Sequence, residues 1–124
     1  MREHLAGLPA ENPVGLVDAF LATVRPVVEE SAGGAGCAVA AVTVDTDSGE
    51  LRTVAATAFD SWTETLADRL TAAGVGKDEA MDLATTLITL LQGAHVLCRA
   101  AGNIEPFDRM ARAAAELVRS RFER

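Results

Sequence analysis

The stretch from Met81 to Ala101 constrains this chain most, because at helical spacing it carries two apolar stripes instead of one. Leu83, Leu87, Leu90, Ala94, Leu97 and Ala101 form one line, and Met81, Ala84, Ile88, Leu91, His95 and Cys98 form another on an adjoining face. A helix apolar over so much of its circumference has to be covered on more than one side. In a chain of 124 residues few other segments can supply that cover. Part of it is therefore expected from a second copy of the chain or from a bound apolar molecule.

The length fits one domain with one core, burying roughly two thirds of its unfolded surface. Aromatic residues make up only 4% of the chain and Tyr is absent, so the apolar volume is mostly Ala, Val and Leu. The net charge of −7, spread along the chain, opposes approach to a phosphate backbone and argues against direct nucleic-acid binding. The sequence holds no 18-residue uncharged run, and Met1-Arg2-Glu3-His4 lacks the apolar segment of a signal peptide. A cytoplasmic protein without a membrane partner is expected. Cys37 and Cys98 stand far apart, and His4 and His95 have no ligand-like spacing to them, so neither a disulfide framework nor a metal site is signalled, and no cofactor is called for.

Residues 1–12 read as a frayed end, with Leu5 and Leu8 interrupted by Gly7 and Pro9. Asn12 is a plausible N-cap with Pro13 at the first helical position, where the missing N–H costs nothing. That helix is expected to run to about Ser31 on an apolar line of Leu16, Phe20, Val24 and Val27 or Val28, with a kink at Pro26. Ser31-Ala32-Gly33-Gly34-Ala35-Gly36 reads as a helix end and loop. A phosphate cradle is disfavoured because no Gly-Lys-Ser/Thr follows.

Between Cys37 and Thr57 two readings compete. Composition allows a β-hairpin turning at Ser48-Gly49; a short helix from Cys37 to about Val44, then a loop and a new helix near Ser48, is equally compatible. From Glu50 the pattern is helical, with Leu51, Val54, Ala58, Phe59, Trp62, Leu66 and Leu70 on one face and an end at Gly74. Asp78 is placed to cap the double-striped helix and Gly102-Asn103 to close it. The last helix spans Ile104 to Phe122, with Phe107, Met110, Ala111, Ala114, Leu117, Val118 and Phe122 on its apolar side. Its five arginines, Arg109, Arg112, Arg119, Arg121 and Arg124, are nearly balanced by Glu105, Asp108, Glu116 and Glu123, which disfavours a nucleic-acid face.

Three groups of residues, taken in order and spacing, resemble the C-terminal domain of TetR-family transcriptional regulators, in the LmrA/YxaF-like branch. They are Gly36-Cys37-Ala38-Val39-Ala40-Ala41-Val42 before an acidic loop, Phe59-Asp60-x-Trp62, and Leu90-Leu91-Gln92-Gly93-Ala94 leading through Arg99-Ala100 to a helix opened by Glu105-Pro106-Phe107. The resemblance covers roughly Asn12 to Phe122. It implies an all-α domain of about five helices over residues 13–124, in which the segment after Gly36-Cys37 is a short helix. It also implies that the last two long helices pair with their copies in a dimeric four-helix bundle, and that the middle helices surround a largely apolar effector pocket. DNA would be bound through an N-terminal helix-turn-helix that this sequence does not contain, the helix linking it to the core being reduced to Met1 to Leu8.

A pocket of that kind is mostly apolar with a few convergent polar groups. Phe20, Val24, Phe59, Trp62 and Leu66 suit its walls and Thr86 and Thr89 its polar points, Trp62 being the best single choice. For the dimer face, Gly93 stands mid-helix at about 1 kcal/mol relative to Ala, which close helix approach would explain. His95, Val96, Arg99, Met110, Ala114 and Leu117 complete that expectation. A stand-alone interaction or small-molecule-binding module is an alternative function. A thiol enzyme using Cys37 is less favoured, because its only candidate bases are His4 near the terminus and His95 among apolar neighbours.

Overall fold

The computed structural model describes residues 1–9, 11–30, 32 and 49–123, with Leu51 described by its backbone alone. These residues form five helices and no strand: α1 (Arg2–Ala6), α2 (Pro13–Glu30), α3 (Gly49–Ala72), α4 (Lys77–Ala101) and α5 (Glu105–Phe122). The fold is all-α, as expected from the sequence. The Cys37 to Val44 segment, for which hairpin and helix compete, lies outside the described residues, as does Cys37 itself.

Helix α2 starts where the sequence places it. The Asn12 side-chain Oδ1 accepts the Gly15 N–H at 2.8 Å, so one of the orphan donors of the first turn is satisfied. The helix continues through Pro26, and its buried line ends on Val28, while Val27 is 37% exposed.

Helix α3 ends in a tight turn. Gly74 takes a left-handed φ of 104°, and the Val75 N–H returns to the Leu70 carbonyl at 3.0 Å, tucking the Val75 side chain into the core. Helix α4 begins at Lys77, one residue before the expected cap. Extended Gly76 leads in and its carbonyl accepts the Ala80 N–H at 2.7 Å, so Asp78 does not cap the helix. Asp78 and Glu79 sit instead in the first turn, where their charge meets the positive end of the helix dipole. Gly102, at φ 73°, closes α4 by donating to the Cys98 carbonyl at 2.8 Å.

Helix α4 is the core element, packed against α2, α3 and α5. By length and composition it is apolar enough to cross a membrane. Packing accounts for part of that apolarity, since eight of its residues, Ala80, Ala84, Leu87, Ile88, Leu91, Ala94, His95 and Cys98, are buried. The second stripe thus turns inward apart from Met81, whereas Leu97 of the first stripe stays 60% exposed and Leu83 and Leu90 are half-buried. Among the described residues, Leu97 of that stripe is left open and Leu83 and Leu90 are only partly covered.

The N-terminal segment is docked, not frayed. Leu5 and Leu8 are buried, and the Arg69 guanidinium of α3 donates to the Leu8 carbonyl through Nε at 3.0 Å and through Nη2. Two leucines at about 1.5–3 kcal/mol each on full burial, plus a charge-assisted hydrogen bond, hold a five-residue helix that could not persist alone. Between α2 and α5, Arg25 makes a two-pronged contact with Asp108, Nε to Oδ1 at 2.9 Å and Nη2 to Oδ2 at 3.0 Å.

Candidate ligand cleft

An open cleft of about 700 Å³ lies between helices α3 and α4. Phe59, Met81, Ile88 and Val96 supply its apolar walls. Thr63, Thr85, Thr89 and Gln92 supply polar edges, Gly93 a gap, and Asp60 and Glu64 two carboxylates along the α3 side. The volume lies within the range of small-molecule sites, and apolar lining predominates, as in such sites.

The threonines present oxygen in a particular way. Thr63 donates its hydroxyl proton to the Phe59 carbonyl, Thr85 to Met81 and Thr89 to Thr85, each at 2.8 Å along its own helix. With the protons engaged, these hydroxyls offer lone pairs and not donors.

Of the residues expected in a pocket, Phe59 and Thr89 line this cleft. Trp62 stands edge-on to Phe59, ring centroids 5.3 Å apart and planes 86° apart, so it backs that wall. Phe20, Val24 and Leu66 are fully buried in the core among α2, α3 and α4 and do not reach the cleft. Thr86 faces a separate shallow recess between α4 and α5, with Leu83 and Leu117.

The residues expected at a dimer face also divide. Leu117 is 70% exposed, Arg99 exposed and Met110 half-buried. Gly93 and Val96 line the α3/α4 cleft. A Cβ added at Gly93 would meet nothing within 4 Å, so no close approach inside the described chain explains that glycine. Ala114 and His95 are buried within the subunit. Burial holds the His95 pKa below its ordinary value, because the imidazolium would be desolvated there.

Sequence reasoning passes over Asp60, Thr63, Glu64, Met81, Thr85, Ile88 and Gln92. A signal for some of them exists: Asp60 and Glu64 follow Phe59 and Thr63 at i, i+4 spacing on the margin of the apolar stripe, and Thr85 precedes Thr89 by one turn. Among the described residues no group of three His, Cys, Asp or Glu side chains could hold a metal ion.

Comparison with known families decides the class. Residues 13–113 match the family described as transcriptional regulator LmrA/YxaF-like, C-terminal domain. The chain belongs to this family. It is a TetR-type C-terminal domain, and within that class it is 31% identical to two proteins of Mycobacterium tuberculosis, the uncharacterized HTH-type transcriptional regulators MT0206 (strain CDC 1551 / Oshkosh) and Rv0196 (strain ATCC 25618 / H37Rv). Each similarity covers 94% of this chain and 64% of the relative, so the chain spans less than two thirds of the length of either regulator. No solved structure gives a significant match. The family is that of the C-terminal domain of transcriptional regulators.

Proposed function

We propose that this domain senses an apolar or amphipathic small molecule in the α3/α4 cleft and homodimerises through the outer faces of α4 and α5. The observation that carries the reading is the cleft itself: about 700 Å³, walled by Phe59, Met81, Ile88 and Val96 and edged by hydroxyl and amide groups. In a domain of regulators, a site of this kind next to a helix shared with a dimer bundle suits effector sensing. The dimer part rests on exposed Leu97 of α4, flanked by half-buried Leu83 and Leu90, and on exposed Leu117 of α5. DNA contact belongs to a helix-turn-helix outside this sequence, and the place of action is the cytoplasm. The domain performs no catalysis in this reading.

Two measurements test it. Thermal denaturation against a panel of drug-sized apolar molecules should find at least one that raises Tm in a concentration-dependent way, as mass action requires of a ligand that binds the folded state. That ligand should lose its effect in Met81→Glu, a change at a cleft-lining residue that is 41% exposed. Sedimentation equilibrium should give a dimer for the wild-type chain and a monomer for Leu117→Glu. A wild-type chain that sediments as a monomer at all accessible concentrations would remove the dimer reading, and a ligand unaffected by Met81→Glu would remove the site.

A further inference from the structure

We infer that the α3/α4 cleft takes an amphipathic organic cation, its apolar body lying on the cleft walls and its ammonium group beside Asp60 and Glu64; the inference rests on the reading of that cleft as the effector site. Three independent features point the same way.

The first is charge. Of the cleft-lining residues, Asp60 and Glu64 are the charged ones, and both are acidic. Five carboxylates elsewhere are matched by arginine across or along helices, Asp108 and Glu29 by Arg25, Asp18 by Arg119, Glu79 by Arg121 and Glu105 by Arg109, while others outside the cleft, such as Glu50, Asp68 and Glu116, show no ion pair among the described residues. Asp60 and Glu64 form no such pair among the described residues. Two unmatched carboxylates one helical turn apart on an apolar wall favour a cation and repel an anion.

The second is hydrogen-bond polarity. The hydroxyl protons of Thr63, Thr85 and Thr89 are committed to their own helix carbonyls, leaving acceptor lone pairs. With the carboxylates, these make acceptors outnumber donors on the polar surface, the Gln92 amide being the donor group among its lining side chains. A ligand carrying N–H donors fits that surface better than a carboxylate or sulfate.

The third is the aromatic pair. Phe59 lines the cleft beside Asp60, with Trp62 packed edge-on behind it, so an aromatic ring and two carboxylates lie on one stretch of α3. An aromatic face attracts a poorly hydrated organic cation by its quadrupole, and a quaternary ammonium shares this interaction without needing a hydrogen bond.

The test uses four probes of one chain length, each below its micelle concentration: decyltrimethylammonium, decylammonium, decanol and decanoate. Binding is read from the fluorescence of Trp62, the one tryptophan in the chain. Both cations should bind at least about tenfold more tightly than decanoate, with decanol between them, and the gap should narrow at high salt. In Asp60→Asn/Glu64→Gln the cation preference should fall to within about threefold while decanol affinity holds. The distant pair Glu116→Gln/Glu123→Gln makes the same change in net charge and should leave the preference intact. If decanoate or decanol binds as tightly as the cations, or if the distant pair abolishes the preference equally, the cationic class is overturned while the cleft stands as a site. If none of the four probes changes Trp62 fluorescence or Tm, the effector-site reading falls, and the cation with it.

Discussion

The two halves of α3 differ sharply although they belong to one continuous helix. From Leu66 onward the helix is anchored: Leu66, Ala67, Leu70 and Ala73 are buried, Val75 folds back beneath, and Arg69 holds the Leu8 carbonyl of the N-terminal segment. Before Thr65 the same helix buries Ala55 fully, keeps Phe59 and Trp62 half-buried, and leaves Val54 61% exposed. A helix fixed at one end and lightly packed at the other can line a site whose contents vary without unfolding the domain. Local stability follows buried apolar contact, so the open half belongs to the low end of the opening energies and the anchored half to the high end.

This division can be broken from either end. The largest effect is expected in the anchored half: Leu70→Ala, which removes a fully buried side chain, should cost about 2–5 kcal/mol in urea unfolding. Phe59→Ala in the open half should cost only about 1 kcal/mol, since its ring is half-buried and the cleft beside it is already empty of protein atoms. A loss at Phe59 equal to that at Leu70 would mean the open half is packed as tightly as the anchored one. Across the cleft, Gly93→Ala should raise stability by about 0.5–1 kcal/mol, because an added methyl meets nothing nearby and the helix gains propensity. A loss of stability in Gly93→Ala would instead place another helix, from a partner subunit, against Gly93.

The smallest expected effect is on pH dependence. His95 lies in the buried face of α4, and burial lowers its pKa in the folded state below the ordinary value of about 6.5. The unfolded chain therefore takes up this proton more readily than the folded one. The stability His95 contributes by staying neutral is fully present above the unfolded value and is lost as pH falls from there through the folded pKa. Unfolding free energy measured between pH 7.5 and 5 should fall on the acid side, with a shallower fall in His95→Leu.

Much of this architecture was legible in the residues. Asn12-Pro13, Gly74 and Gly102 mark ends that the structure keeps, because caps and left-handed turns are local chemistry. The double stripe of α4 also identified the core helix. The interaction of Arg69 with Leu8 was not visible, since it joins residues far apart in sequence and its acceptor is a backbone carbonyl. Nor could the pattern say which margin of α4 faces which neighbour. Gly93 and Val96, read as part of a dimer face, also line the cleft, and a helix apolar around most of its circumference fits several rotations about its axis equally well. Phe20, Val24 and Leu66 share their apolar character with Phe59, and only tertiary packing separates core from wall.

Residue-resolved amide hydrogen exchange along α3 tests the central claim, that one helix is anchored at its C-terminal half and adaptable where it lines the cleft. Amides from Ala56 to Trp62 should exchange at least about tenfold faster than those from Leu66 to Leu70, with the difference shrinking when a cleft ligand is bound. Uniform protection along α3, or slower exchange in the cleft-lining half, would contradict it.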